Sequence, residues 1–262
     1  MKKLLMCPPT QYDIDWEINP WMNGNIGKVD TALAYDQWLK LYVELCKYAS
    51  VNLIPQEPNL RDMVFTANAG YVKDKTVFLS RFNTHQRAPE EDVFRTWFLE
   101  AGYTVIQQWD YSFEGAGDCL EGSDGKLFCG YGYRTRKEAY NTFSKTYPQP
   151  SGWVIKLIDP RFYHLDTCFC PLDGKTIMYY DGAISPETLH AVNLLYPNQI
   201  VVSEEEAKQF ACNAVVIGKN VFMPRCFSVA DRLYKLGFEP HLFDMSEFIK
   251  AGGACKCLTL EI

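Results

Sequence analysis

The segment HLDTCFC, at 164–170, places a histidine two residues before an aspartate at the start of a short apolar run. Side chains alternate along a strand, so a strand here would turn His164 and Asp166 to the same side. An imidazole beside a carboxylate can act as a general acid and base. A sheet edge with two exposed polar residues explains this fragment more simply, so the other polar segments must decide.

Four more segments interrupt the apolar pattern with groups that can do chemistry. FTAN ends in Asn68, FEGAGD holds Glu114 and Asp118, GGACKC holds Cys257, and EINPWMNGN holds Asn19. A thiol becomes a nucleophile beside a histidine, and carboxylates bind planar cations through paired hydrogen bonds. Together these groups predict attack of sulfur on an electron-poor carbon bonded to nitrogens. Taken singly, the cysteine reads equally well as a buried strand residue, and the aspartate and Asn68 as turn residues.

The elements that must bring these segments together repeat along the chain. Five helical or mixed segments each lead into a strand-like stretch, at 50–55, 102–107, 152–158, 198–203 and 237–243. The helices are predicted at 31–49, 90–101, 136–145, 187–196, 204–211 and 227–236.

Four hairpins accompany these units, in AGYVKDKTVFLS, CLEGSDGKLFCG, CFCPLDGKTIMYY and AVVIGKNVFMP. The terminal segments KKLLMCPP and KCLTLEI can pair to supply the fifth hairpin. The sequence therefore predicts an α/β propeller of five hairpin–helix–strand units closed into a ring, whose equivalent strand ends meet at one central cleft.

Composition narrows the class of protein. The 262 residues are 47% apolar and 22% charged, as in a globular protein with a large core, and the net charge of −6 with mixed signs disfavours nucleic acid as a partner. The apolar run Leu4–Cys7 is too short for a secretion signal, and no later run is long enough to span a membrane, so we expect a cytoplasmic protein. The 10 cysteines then read as reduced thiols, and without zinc-type spacing or a Gly-rich phosphate loop we expect no metal and no cofactor.

Taken jointly, these segments resemble the guanidino-group-modifying enzymes of the pentein superfamily, which include arginine deiminase, dimethylarginine dimethylaminohydrolase, glycine amidinotransferase and cyanobacterial arginine dihydrolase. FTAN, EGAGD, GYGYR, HLDT and GGACKCLTLE occur in the family's order. The resemblance covers nearly the whole chain and implies a pentein α/β propeller with one catalytic domain, 1–262. Since the sequence ends at its last family strand, no fused second activity is expected. The resemblance leaves open whether the protein forms a homo-oligomer.

The resemblance implies a role for each acid–base residue. Cys257 is the expected nucleophile, because the family's cysteine precedes a pair like Leu258-Thr259. His164 is the expected general acid and base, which protonates the departing amine and then activates water. Asp118, with Glu114 or Asp166 nearby, is expected to hold the guanidinium.

Two arginines match positions where the deiminases bind the α-carboxylate of the substrate. They are Arg81 in LSRFNTHQRAPE and Arg134 in GYGYR. The alternative for each is a solvated ion pair at the surface.

One departure from the deiminases selects among the reactions of the family. Asn68 stands where deiminases have Asp, which replaces a charge with a neutral amide. With Asn19 in INPWM, it resembles the arginine dihydrolases, which convert arginine to ornithine, carbon dioxide and two ammonia. We therefore expect a dihydrolase first, deimination to citrulline second, and dimethylarginine hydrolysis third, because the paired terminal cysteines of that subgroup are missing. An amidinotransferase, which needs an amine acceptor, and a binding-only pentein ring stay open.

Overall fold

The computed structural model describes residues 1–147 and 152–262. These residues contain fifteen short strands and seven α-helices. The strands are β1 Lys3–Met6, β2 Ser50–Leu53, β3 Gly70–Lys73, β4 Thr76–Leu79, β5 Thr104–Ile106, β6 Cys119–Glu121, β7 Leu127–Tyr131, β8 Gly152–Lys156, β9 Phe169–Pro171, β10 Thr176–Tyr179, β11 Asn198–Val201, β12 Val215–Ile217, β13 Asn220–Pro224, β14 Glu239–Phe243 and β15 Leu260–Glu261. The helices are α1 Thr31–Leu45, α2 Glu90–Glu100, α3 Ala139–Thr146, α4 Pro186–Asn193, α5 Glu204–Lys208, α6 Phe227–Lys235 and α7 Ser246–Ile249.

The strands form five three-stranded sheets with the same internal plan. In each sheet the middle strand pairs antiparallel with the first strand and parallel with the third. A parallel pair cannot be joined by a tight turn, so a helix connects the middle strand to the third. The sheets are β3-β4-β5, β6-β7-β8, β9-β10-β11, β12-β13-β14 and β15-β1-β2.

The fifth unit is assembled from both ends of the chain. Leu4 pairs with Glu261 and Leu5 with Leu260 across the antiparallel strands β1 and β15. Strand β2 then runs parallel to β1 after helix α1. The predicted closure of the ring by the terminal strands is confirmed.

The helices cover the sheets with apolar faces, as the periodicity predicts. Helix α1 buries Ala34, Trp38, Leu41 and Leu45, and burial of each large side chain stabilises the fold by about 1.5–3 kcal/mol. It ends before the predicted residue 49, where the backbone N–H groups of Lys47 and Tyr48 bond three residues back instead of four.

Helix α5 also ends earlier than predicted, at Lys208 instead of 211. Phe210 adopts φ +58°, in the left-handed region, and this conformation cannot continue a right-handed helix. Across the described residues, no helix combines the length and apolar character that a membrane crossing requires.

The first strand of every unit lines the axis of the ring. A cavity of about 670 Å³ is bordered by residues of β3, β6, β9, β12 and β15 together. Because the five first strands share this cavity, the residues that precede them gather at one end of it. That end carries the polar segments identified in the sequence.

The segment 164–167 is not a strand, and the prediction that His164 and Asp166 project side by side from one is wrong. Leu165–Thr167 is a single 3-10 turn that ends just before β9. The Thr167 hydroxyl donates to the His164 carbonyl oxygen at 2.6 Å, which stabilises the turn locally. The turn directs the imidazole and the carboxylate to different partners.

Candidate active site

A small cavity lies where the segments before the first strands meet. Its volume is about 10 Å³, roughly the space of one water molecule. Unlike the larger axial cavity, it brings a thiol, an imidazole and two guanidinium groups together. The lining residues are Ile18, Asn19, Met22, Asp62, Phe65, Asn68, Arg87, Arg134, Tyr163, His164, Ala251, Gly253 and Cys257.

The chain segment before Cys257 contains two glycines and packs closely against the wall of the cavity. A Cβ on Gly253 would lie 2.5 Å from the Phe65 ring and 3.2 Å from the Cys257 Cβ. The Cys257 carbonyl oxygen accepts a hydrogen bond from the Ala67 backbone N–H at 3.1 Å. The thiol is 3% exposed, so its position is set by the surrounding protein rather than by solvent.

The Cys257 thiol faces a carboxylate and an amide. Its sulfur lies 3.4 Å from Asp166 Oδ2 and 3.1 Å from Asn213 Nδ2. Burial raises the pKa of the Cys257 thiol well above its usual range, and the Asp166 charge raises it further, against smaller opposing effects of Asn213 and Lys256. Burial also raises the pKa of Asp166 to about 7, partly offset by Lys256. The thiol is therefore protonated at neutral pH when no cation lies beside it.

His164 is oriented by Glu114. Its Nε2 lies 2.7 Å from Glu114 Oε2, which also accepts from Arg134 Nη1 at 3.2 Å, while Oε1 accepts from the Asn83 backbone N–H at 2.9 Å. Burial favours the neutral acid, but Arg134 and His164 outweigh it and hold the pKa of Glu114 below its usual range. An ionised carboxylate on one ring nitrogen fixes the orientation of the imidazole.

Asp118 is not among the residues that line this cavity, and neither are Glu114 and Asp166; the guanidinium-binding role expected of Asp118 stays a prediction. Its Oδ1 accepts the Leu165 backbone N–H at 3.0 Å, so the carboxyl supports the turn that carries His164. Burial raises the pKa of Asp118 to about 6, and its Oδ2 has no hydrogen-bond partner among the described residues. Because the neighbouring Gly117 has no side chain, Asn68 and His164 can pack closely against it; a Cβ there would lie 2.4 Å from Asn68 Nδ2 and 3.3 Å from the His164 ring.

Both asparagines expected at the site reach the cavity. Asn68 Oδ1 accepts from Arg87 Nη1 at 2.8 Å, and its Nδ2 donates to the Glu114 carbonyl oxygen at 3.2 Å. Asn19 Oδ1 accepts from the Trp21 backbone N–H at 2.9 Å, and its Nδ2 donates to the Ala251 carbonyl oxygen at 3.0 Å. Asn19 therefore ties the first loop to the segment before Cys257.

The structure places one of the two predicted arginines at the cavity. Arg134 is buried, lies 4.6 Å from the Tyr163 ring centre and donates to the Ile18 carbonyl oxygen. Arg81 lies outside the cavity, where its partly exposed guanidinium pairs with Glu91 at 3.3 Å. Its backbone forms an isolated antiparallel bridge with Phe113.

Arg87, which the sequence reasoning missed, occupies the cavity wall instead. It belongs to the same LSRFNTHQRAPE segment as Arg81. Its guanidinium forms a bidentate pair with Glu90, at 2.9 and 2.8 Å. Asp62, also missed, lies nearby and accepts from the Trp16 ring at 2.8 Å. The segment alone does not show which arginine points inward, because neither lies in a periodic element.

Asn213 was also missed, although a positional signal exists. It precedes β12, the first strand of its unit, just as Asn68 precedes β3 and Asp118 precedes β6. The fourth hairpin is therefore the one for which the sequence analysis named no preceding polar residue. No three His, Cys, Asp or Glu side chains in 1–147 and 152–262 converge as metal ligands.

Proteins of similar sequence align with this chain over nearly its whole length. The family model described as N,N dimethylarginine dimethylhydrolase, eukaryotic, matches residues 28–262. The chain is 42% identical over 271 residues to the bifunctional arginine dihydrolase/ornithine cyclodeaminase ArgZ of Synechocystis sp., covering 99% of this chain and 37% of that protein. It thus spans less than two fifths of the length of that relative. It is also 36% identical over 263 residues to the N(G),N(G)-dimethylarginine dimethylaminohydrolase of Mycobacterium tuberculosis, covering 100% of this chain and 86% of that protein.

A solved structure has the same fold. The N-terminal domain of ArgZ, an arginine dihydrolase from the ornithine-ammonia cycle in cyanobacteria, crystallised with its substrate, superposes with a TM-score of 0.97 at 41% identity. The match covers 100% of this chain and 98% of that one. The predicted pentein α/β propeller is confirmed.

Proposed function

Since this chain belongs to the N,N dimethylarginine dimethylhydrolase family of guanidino-modifying pentein enzymes, we propose that it hydrolyses the guanidino group of arginine through Cys257. The observation that carries the proposal is one cavity lined by the Cys257 thiol and by a His164 imidazole that an ionised Glu114 orients. The overall reaction is arginine and two waters giving ornithine, carbon dioxide and two ammonia.

The first step is attack of sulfur on the guanidinium carbon. A cationic guanidinium beside Cys257 and Asp166 lowers the pKa of both, so binding itself favours the thiolate. The thiolate forms the C–S bond, and His164 protonates the amine that departs as the first ammonia. The product is a covalent amidino–cysteine with its positive charge near Asp166.

The second step uses the same histidine as a base. His164, now neutral, takes a proton from water as its oxygen adds to the amidino carbon. The tetrahedral intermediate then has two leaving groups. Expulsion of the thiolate gives citrulline, whereas expulsion of a second ammonia leaves a carbamoyl thioester, which another water hydrolyses to ornithine and carbon dioxide.

Asn19 and Asn68 favour the second branch in this proposal. A carboxylate at position 68 would add a negative charge beside the reacting carbon, whereas the Asn68 amide is neutral and is anchored by Arg87 and Glu114. In this proposal the neutral amides hold the covalent intermediate in place, so that it is retained for the second hydrolysis. The ArgZ similarity supports the same choice.

Arg134 and Arg87 bind the α-carboxylate end of the substrate in this proposal, in place of Arg81. Both are buried guanidinium groups at the cavity, and guanidinium pairs with carboxylate in a fork geometry. Residues 1–262 act as one catalytic domain.

Product analysis tests the reaction. Purified protein is incubated with arginine, and ornithine, citrulline and ammonia are quantified over time. We expect ornithine with two equivalents of ammonia; citrulline with one equivalent makes the protein a deiminase instead. Cys257→Ser should abolish turnover, whereas Cys255→Ser, which alters a buried thiol outside the cavity, should retain it. Full turnover by Cys257→Ser would exclude the covalent route.

Dimethylarginine hydrolysis is the second candidate, supported by the family model and by the M. tuberculosis relative. The same assay with N,N-dimethylarginine separates the two, since it releases dimethylamine. A kcat/KM for dimethylarginine above that for arginine would reverse the order.

A further inference from the structure

Asn213 connects three parts of the site through one side chain. Its Nδ2 donates to the Cys257 sulfur at 3.1 Å and to the Asp166 carbonyl oxygen at 3.0 Å. Its Oδ1 accepts from the backbone N–H groups of Lys256 at 2.9 Å and Cys257 at 3.2 Å. The side chain is fully buried, so none of these contacts exchanges with solvent.

The four contacts use the whole hydrogen-bonding capacity of the amide. A primary amide has two N–H donors and an oxygen with two lone pairs. The oxygen is fixed by two backbone donors and the nitrogen by a backbone acceptor, so the amide can be placed in only one of its two orientations. The group that points at the Cys257 sulfur is therefore an N–H donor.

The backbone around Asn213 is itself fixed. Its N–H donates to the Phe210 carbonyl oxygen at 2.9 Å, in the turn where Phe210 takes a positive φ. Strand β12 follows two residues later. The donor thus sits on an element anchored by the ring, at the same place in its unit as Asn68 and Asp118 in theirs.

We propose that Asn213 is the positioning residue for the nucleophile: it aims the Cys257 sulfur into the cavity and supplies a hydrogen bond that stabilises the thiolate. This inference rests on the proposed function, in which Cys257 attacks the substrate. A hydrogen bond to the charged form of an acid favours that form, so the donor lowers the energy of the thiolate relative to the thiol. The same amide sets the distance between the sulfur and the segment that carries Asp166.

A purely structural role makes a different prediction. An asparagine that only ties the Lys256–Cys257 backbone to its neighbours contributes to folding, and its loss lowers the thermal midpoint without changing the acidity of the thiol. The pH dependence of thiol reactivity therefore separates the two roles, and it requires no arginine turnover.

The test variant is Asn213→Asp, with Asn198→Asp as the matched control. The aspartate can keep an oxygen toward the two backbone N–H groups but replaces the donor that faces sulfur with a carboxylate oxygen. Asn198 lies on the exposed side of β11, far along the chain from the cavity residues. Alkylation of Cys257 by iodoacetamide is followed from pH 6 to 10, with peptide mass spectrometry to separate it from the other nine cysteines.

We expect the pH of half-maximal alkylation of Cys257 to rise by at least one unit in Asn213→Asp, with the rate at pH 8 at least tenfold lower and Asn198→Asp unchanged. In the arginine assay, kcat should fall by a similar factor with KM changed less than threefold. Asn213→Ala removes the donor without adding charge, and its profile should shift in the same direction; this variant separates loss of the donor from the added charge of the aspartate, and it decides the matter if the aspartate variant does not fold. A folded variant that alkylates with the wild-type pH profile overturns the proposal, whatever its thermal midpoint. If no protein turns over arginine but the alkylation shift is present, the proposed function fails and the positioning role stands.

Discussion

Replacing Glu114 with Gln tests whether the buried carboxylate is what makes His164 a catalyst. The substitution keeps the shape of the side chain and its contact to the Asn83 backbone, but removes the charge that faces His164 Nε2 at 2.7 Å and Arg134 at 3.2 Å. A neutral amide can also present an N–H to the imidazole, which would hold the ring in the other tautomer.

The size of the effect follows from these contacts. A hydrogen bond to a charged group contributes about 1.5–3 kcal/mol. Because the protonated imidazole forms when His164 takes a proton from water, losing this stabilisation raises the barrier of that step and decreases its rate about 10- to 150-fold. The buried Arg134 loses its carboxylate partner as well, and an uncompensated buried charge lowers the free energy of unfolding by about 3 kcal/mol.

Single-turnover kinetics with arginine, quenched in acid, measure the first ammonia release and product formation separately. Both steps should slow in Glu114→Gln, since His164 donates a proton in one and accepts one in the other. Glu121→Gln is the matched control, because Glu121 lies on β6 in the same unit and pairs at the surface with Lys73; its effect on either rate should be within a factor of about two. A folded Glu114→Gln protein whose rates stay within threefold of wild type would refute the assigned pairing.

Four further substitutions test the surroundings of the site. Folding raises the pKa of Asp118 from 3.8 to about 6, so ionisation of this carboxyl lowers the free energy of unfolding as pH rises through that interval. Asp118→Asn should therefore increase the free energy of unfolding, measured by urea titration, by up to about 3 kcal/mol at pH 8 and much less at pH 4. An equal increase at both pH values contradicts this explanation. Gly117→Ala places a Cβ against Asn68 and the His164 ring, and should lower kcat/KM for arginine at least tenfold; an unchanged value would show that the two side chains can move apart freely. Arg81→Ala should change KM for arginine less than twofold, whereas Arg87→Lys, which breaks the bidentate fork, should raise it at least tenfold; the reverse order would return the carboxylate site to Arg81.

The repeat of elements could be read from the sequence because each unit obeys local rules. The Asp-Gly turns of two hairpins and the apolar period of α1 are local signals that tertiary packing did not override. Closure by β1 and β15 followed from counting units, since four hairpins and five helix–strand pairs leave one hairpin to be made from the chain ends. The segment 164–167 was read wrongly because alternation over four residues does not distinguish a strand from a turn stabilised by the Thr167 hydroxyl.

The site could be predicted less completely than the fold. Residues expected before each first strand, such as Cys257, Asn68 and Glu114, do reach one cavity or its immediate wall. The partner of the His164 imidazole could not be predicted. Glu114 and Asp118 lie four residues apart in a glycine-containing turn, so the sequence does not show which of the two carboxylates contacts the imidazole. The choice between Arg81 and Arg87 likewise depends on the path of a loop.

The two carboxyl groups beside the proposed catalytic pair, Cys257 and His164, carry opposite pKa shifts, and this difference suggests a separate role for each in the proposed reaction. Glu114, beside Arg134 and His164, is ionised before any substrate binds, so it can only orient and stabilise the imidazolium. Asp166, whose pKa burial raises to about 7, shares its surroundings with a thiol whose pKa is also raised. A neutral substrate would leave the thiol protonated and Asp166 only partly ionised at neutral pH. A guanidinium is the kind of substrate whose own charge favours ionisation of both at once, so the charge distribution of the cavity selects for a cation and couples its arrival to formation of the nucleophile.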